Sequence, residues 1–184
     1  MTIDYPMASI RFHKFAIEGI QDIQKQTEKS KAFYFPYVEE KKGVADKLLI
    51  ELAKDAAVVI TDDYPTYFVP QMTAEAKGSI QTTYELVDSN GLLPIRIAEK
   101  EYVRAHDFRR FMHKNIEDFL VEVPEKDPLE YLNLKFDEKL LEPIFKKYEL
   151  VDFNKVNTQD FLNNLNVDKS VEVSDVVGGY NAAK

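Results

Sequence analysis

Residues 56–60, AAVVI, form a short uninterrupted apolar run that leads directly into TDDYPTYFVPQM at 61–72. Nothing in the run alternates, so no face is reserved for water, and its β-branched residues favour extended backbone. This is the pattern of a parallel strand buried on both faces, and it is expected to be the most buried strand of the fold. The strand ends in paired carboxylates, Asp62 and Asp63, and an aromatic, proline-rich turn then leads into a helix start. An open α/β sheet presents a ligand cleft at such a carboxyl end.

The flanking chain supplies matching elements. Residues 8–28 read as an amphipathic helix with Phe12, Phe15, Ala16, Ile20 and Ile23 on one stripe. The aromatic run 31–39 is a strand candidate, with Pro36 favouring an edge or an early end. Residues 43–55 return to helical spacing through Val44, Leu48, Leu49 and Leu52. A helix is expected from Pro70 to Lys77, since proline is tolerated in a first turn, with Gly78 closing it. TTYELVD at 82–88 is the next strand, and Asn90-Gly91 marks a turn. A longer helix over 99–120 carries Tyr102, Ala105, Phe108, Met112, Ile116 and Phe119. Alternation of helix and strand predicts an α/β domain over 1–120, a Rossmann-like parallel sheet covered by helices. From 121 to 184 the chain is less regular, with short helices expected at 137–147 and 158–165 and a linker, VGGYNAAK, at the end.

A chain of 184 residues suits one domain with a substantial core. Its net charge of −8 and pI near 5.0 argue against a domain that holds nucleic acid unaided, because backbone binding needs a field of Lys and Arg. The absence of cysteine excludes disulfides, thiolate catalysis and thiolate zinc sites, and suits a reducing compartment. Neither a signal peptide nor an apolar run of membrane-spanning length occurs, so a soluble cytoplasmic protein is expected. No Gly-Lys-Ser/Thr phosphate loop, GxGxxG or nucleophile elbow is present, which places a small nucleotide-dependent enzyme last among the readings.

The candidate cleft consists of Asp62, Asp63, Tyr64, Phe68 and Gln71, with Asp88 from the neighbouring strand end. The acids would accept hydrogen bonds from ring N–H groups of a flat heterocycle and the aromatics would stack on it. The structural alternative is that one acid caps the loop or helix, the other is solvated, and the aromatics pack the loop against the sheet. Of the histidines His13, His106 and His113, the last two stand seven apart on one helix, whereas helical metal pairs use a separation of three or four. Surface or interface positions suit them better. The same helix carries Arg104, Arg109, Arg110 and Lys114, a basic patch suited to docking a neighbouring domain and equally readable as a solvated face.

Four stretches together resemble photolyases and cryptochromes, in particular bacterial members near the class II type: IRFHKFAIEGIQDIQ (10–24), VVITDDYPTYFVPQM (58–72), DSNGLLPIR (88–96) and AHDFRRFMHKNIEDFL (105–120). The ending SVEVSDVVGGYNAAK (170–184) is similar to the linker through which such proteins enter their catalytic helical domain. The resemblance begins at the family's second helix, so its first strand, helix and strand are expected to be absent, and the chain to be truncated at both ends. What the resemblance implies is an α/β domain that docks on a helical flavin domain, in cis or in trans, with a capacity to hold an antenna chromophore, a deazaflavin or folate. In the full-length family reduced FAD splits a cyclobutane pyrimidine dimer flipped out of DNA. FAD and DNA binding belong to the helical domain, so no catalytic residue carries over, and residues 1–184 alone are expected to retain no FAD and perform no repair. Uncovered apolar surface would favour self-association. The alternative is a stand-alone Rossmann-like binding or regulatory module without light chemistry.

Overall fold

A computed structural model describes residues 1–121, 123–132 and 136–184. It is a mixed α/β fold in which one two-stranded parallel sheet and six α-helices are defined among these residues. The chain divides into two units, Met1–Leu52 with Asp127–Lys184, and Ala53–Lys126. No helix among the described residues is long and apolar enough to cross a membrane.

The first unit is organised by α1, Ile10–Thr27. Ser9 caps it in extended backbone, its side chain accepting from the Phe12 N–H, and Lys25 lies in the last turn where a cation complements the helix dipole. The buried face is Ile10, His13 and Ile17, continued by Gln21 and Gln24, at the 3–4 spacing of one helical stripe. The stripe expected from the sequence is rotated away from it: Phe12 and Phe15 are 53% and 50% exposed, Ile23 is exposed, and Ile20 alone of the large residues packs at the core's edge. The cause is polar. Gln21 donates to Thr158 Oγ1 at 2.8 Å and Gln24 to Asp152 Oδ1 at 2.9 Å, so the C-terminal part of the inward face consists of residues that a hydrophobic pattern assigns to water.

Against this face pack Val151, Phe153, Leu162 and Leu165, with Ile3 and Val38 completing the core. Leu162 lies on α6, Thr158–Asn164, whose cap Asn157 accepts from the N–H groups of Gln159 and Asp160. A smaller cluster joins Leu48 of α2, Leu48–Ala53, to Ile144 of α5, Glu142–Phe145, and to Tyr148. The strand expected at 31–39 joins no sheet. It runs without regular structure, bonded through Pro36 O to Val151 N–H at 3.1 Å and through Glu39 N–H to Met1 O at 2.8 Å, while its aromatics pack on Phe145 and Tyr148. Pro36 offers no N–H for a ladder.

In the second unit β1, Val58–Asp62, pairs in parallel with β2, Thr83–Val87, Val58 opposite Thr83 and Asp62 opposite Val87. The crossover is α3, Val69–Ser79, with proline in its first turn; Gly78 falls inside it rather than closing it. The expectation for 56–60 is corrected twice. The strand lies two residues further on, and it is not buried: Ile60 is 59% exposed and Val58 is also exposed. A parallel strand is covered only when strands flank it and helices lie on both faces, and among the described residues β1 has one neighbour. Among the described residues of this unit Ala53 alone is buried. Helix α4, Ala105–Asn115, continues as a 3-10 turn to Phe119 and begins six residues later than expected. Residues 99–104 form instead an arm that lays Tyr102 against Phe108 and Phe111, ring centroids 5.5 and 5.3 Å away.

Candidate functional site

The parallel ladder fixes where the acids stand. Beyond β1 the Asp63 N–H still donates to Val87 O at 2.8 Å, so Asp63 lies beside Asp88 at the carboxyl ends of both strands. Successive strand residues face opposite sides, and Asp62 and Asp63 have separate environments. Asp62 Oδ1 accepts from Ser89 Oγ at 2.6 Å. Asp63 is held by Arg96 through both guanidinium arms: Nη2 donates to Oδ1 at 2.6 Å and Nε donates to Oδ2. The Asp63 side chain is 10% exposed and that of Arg96 72%.

Asp88 organises the turn that carries Arg96. One of its oxygens accepts from Asn90 N–H at 3.1 Å and Asn90 Nδ2 at 2.9 Å, the other from Ile95 N–H at 2.6 Å. Asn90 Nδ2 also reaches Asp63 O at 2.8 Å, which ties turn and strand end together. A cleft of about 640 Å³ opens here. Its polar lining is Asp63, Tyr64, Thr73, Lys77, Asp88 and Arg96, against walls that include Pro65, Pro70, Leu86 and Ile95.

The structure thus brings Asp63, Tyr64 and Asp88 together in one cleft and leaves Asp62, Phe68 and Gln71 off its lining. Phe68 precedes α3 with its ring against Tyr67, and Gln71 donates to Glu75 one turn along the helix at 2.8 Å. Tyr67 has φ +64°, a left-handed conformation uncommon for an aromatic residue, so the turn between β1 and α3 is strained. Thr73, Lys77 and Arg96 are not among the residues singled out from the sequence. Pro70, Thr73, Ala74 and Lys77 stand at i, i+3, i+4 and i+7, and this one-face spacing is the signal that marks them.

Arg96 holds the Asp63 carboxyl below the ordinary aspartate value of 3.8, and the Asn90 side chain and N–H, with the Ile95 N–H, do the same for Asp88. Asp63 in turn raises Arg96. For a lowered carboxylate the stabilisation is fully present above its unfolded value and is lost as pH falls through the folded one. The turn is therefore expected to be insensitive to pH from neutrality down to about pH 5 and to loosen below 3.8. A carboxyl-carbon NMR titration checks this: Asp63 should titrate below 3.8 in the native chain and move upward in Arg96→Ala. An unshifted Asp63 in both proteins would contradict the pairing.

His13 is fully buried, its Nδ1–H donating to Ser9 O at 2.9 Å while Nε2 has no hydrogen-bond partner among the described residues. His106 and His113 are exposed on α4, and among the described residues no group of three His, Cys, Asp or Glu side chains is placed to hold a metal. Arg109, Arg110 and Lys114 are exposed on the same helix and make no salt bridge among the described residues.

β1, α3 and β2 thus form a parallel β-α-β unit of an α/β fold, with the cleft beyond the carboxyl ends of its strands. The chain is 28% identical over 144 residues to the deoxyribodipyrimidine photo-lyase of Methanothermobacter thermautotrophicus, a match covering 78% of this chain and 30% of that protein. The similarity supports a relationship to the photolyase family, and the matched region spans under a third of that relative's length. No family model matches the chain.

Proposed function

We propose that this chain supplies the α/β antenna and docking domain of a photolyase-like flavoprotein, without catalytic activity of its own. The cleft at the carboxyl ends of two parallel strands carries the reading, and the similarity to a photo-lyase supports it. In this reading β1-α3-β2 is the Rossmann-like part of the domain, and FAD and DNA are held by a helical domain to which it docks.

The cleft suits a planar chromophore such as a deazaflavin or folate in size, since about 640 Å³ lies within the usual range of ligand sites. Its chemistry differs from a simple acidic clamp. Both oxygens of Asp63 are taken by Arg96, and those of Asp88 by Asn90 and the Ile95 N–H, so the acids shape the site. Lys77, Thr73 and the remaining guanidinium N–H groups of Arg96 would meet the polar edge of a ligand, and the half-exposed Tyr64 ring would cover its face. Such a chromophore, when bound, would absorb light and pass the excitation to the flavin. Titration with a deazaflavin and a folate, followed by fluorescence anisotropy, tests the reading; saturable binding that weakens in Tyr64→Ala supports it, and no binding of either ligand sinks it.

Docking is assigned to α4, where Arg109, Arg110 and Lys114 offer cations unopposed by a salt bridge against a chain of net charge −8. Arg109→Glu with Arg110→Glu is expected to slow association with a flavin domain about tenfold or more at low salt, with a smaller effect at high salt. Stopped-flow association measures it. Equal rates in variant and native chain would remove α4 from the interface.

A further inference from the structure

The final stretch of the chain, expected from the sequence to be a linker, is bound to α1. Residues 172–181 run alongside the helix in the same direction. Arg11 Nε donates to Glu172 O at 2.7 Å and Lys14 Nζ to Ser174 O at 3.3 Å. The Gly178 N–H donates to Glu18 Oε2 at 2.8 Å, and Asn181 gives its backbone N–H and its Nδ2 to the two oxygens of Asp22, each at 2.7 Å. Arg11, Lys14, Glu18 and Asp22 form one stripe of the helix, with Lys14 and Glu18 paired to each other at 2.6 Å.

Main chain, the two glycines and the Asn181 side chain make this contact, while the apolar side chains Val176, Val177 and Tyr180 are exposed. Gly178 is buried against the Phe15 peptide. A Cβ there would lie 2.9 Å from the Phe15 carbonyl carbon and closer still to its oxygen, which no side chain tolerates. Gly179 has φ +108°, and a Cβ on it would meet Asp22 Oδ2 at 2.9 Å. On the helix side a Cβ on Gly19 would lie 3.9 Å from Gly179, in ordinary contact, so the close fit is made by Gly178 and Gly179.

We propose that residues 172–181 are a detachable strap on α1, latched at Gly178 and Gly179, whose engagement sets how the chain from Asn181 onward leaves the domain. A segment held by polar contacts with no buried apolar side chain opens at a small fraction of the global free energy. The strap therefore opens while the core beneath α1 stays folded. Beyond the two cations at its start, the strap is held at its latch by two carboxylates and the absence of two β-carbons, so one substitution on either side releases the latch.

Hydrogen exchange on the full chain, followed by NMR, tests this. The amides of Gly178 and Asn181 should exchange through an opening that low denaturant does not accelerate, unlike amides in the middle of α1. Gly178→Ala should speed exchange at both sites about tenfold or more and expose the Tyr180 bond to chymotrypsin, with the melting temperature of the core little changed. Asp22→Asn, which keeps the size of the side chain and removes its charge, should give the same release and serves if Gly178→Ala does not fold. Gly91→Ala, where a Cβ meets nothing within 4 Å, is the control and should change neither. Unaltered protection at residues 178 and 181 in both strap variants, or exchange of these amides only with the whole core, would overturn the proposal.

Discussion

Ile17→Asp is expected to abolish the cooperative melting of the unit built on α1. Ile17 is fully buried in the middle of the helix between His13 and Gln21, against a core that includes Leu162 and Leu165. Its replacement loses the transfer free energy of a large aliphatic side chain and places a carboxylate in an apolar core cluster. Removing a partner from a buried charge costs on the order of 3–5 kcal/mol, and folded domains hold about 5–15 kcal/mol in all. Circular dichroism on heating should show a non-cooperative slope in the variant where the native chain gives a transition. A sharp transition within a few degrees of the native one would mean that α1 does not form the core.

The companion substitution in β1 has the opposite expectation. From the sequence alone Val59→Asp would be as damaging as any change in the chain, because every residue of 56–60 is apolar. In the structure Val59 is only half-buried between exposed neighbours, and its strand has a single partner. Burial is a property of what surrounds a strand, and composition records only what the strand would accept.

The same physics separates what could be read from what could not. Helices near 10–27, 69–79 and 158–164 and the strand near 83–87 follow from local signals, a periodic face, a first-turn proline and a short segment closed by the Asn90-Gly91 turn, that act within a few residues. The inward face of α1 was not legible, because Gln21 and Gln24 bond to Thr158 and Asp152, more than a hundred positions away. Residues 31–39 have strand composition, yet no ladder forms around Pro36. In the site, strand-end position was enough to mark Asp63, Tyr64 and Asp88. Arg96 was not, since its role depends on the turn that Asp88 closes, where Asn90 and the Ile95 N–H set the guanidinium against Asp63.

All-or-none retention of chromophore is the second large effect expected, and it bears on the antenna assignment itself. The described cleft has one half-exposed tyrosine, two solvent-facing cations and no deep apolar enclosure, which suits an accessory ring at the surface better than a flavin shielded for electron transfer. DNA repair needs in addition a basic groove to hold the backbone and an apolar pocket for the flipped dimer. In the proposed reading both belong to the helical domain, in keeping with the net charge of −8 of this chain. The most direct measurement is the absorption spectrum of the purified chain after separate equilibration with FAD, a deazaflavin and a folate and removal of free ligand by gel filtration. The account predicts that the deazaflavin or the folate stays with the protein and is lost in Tyr64→Ala, while FAD elutes free. A chain that emerges yellow with stoichiometric FAD, or one that retains none of the three, would contradict it.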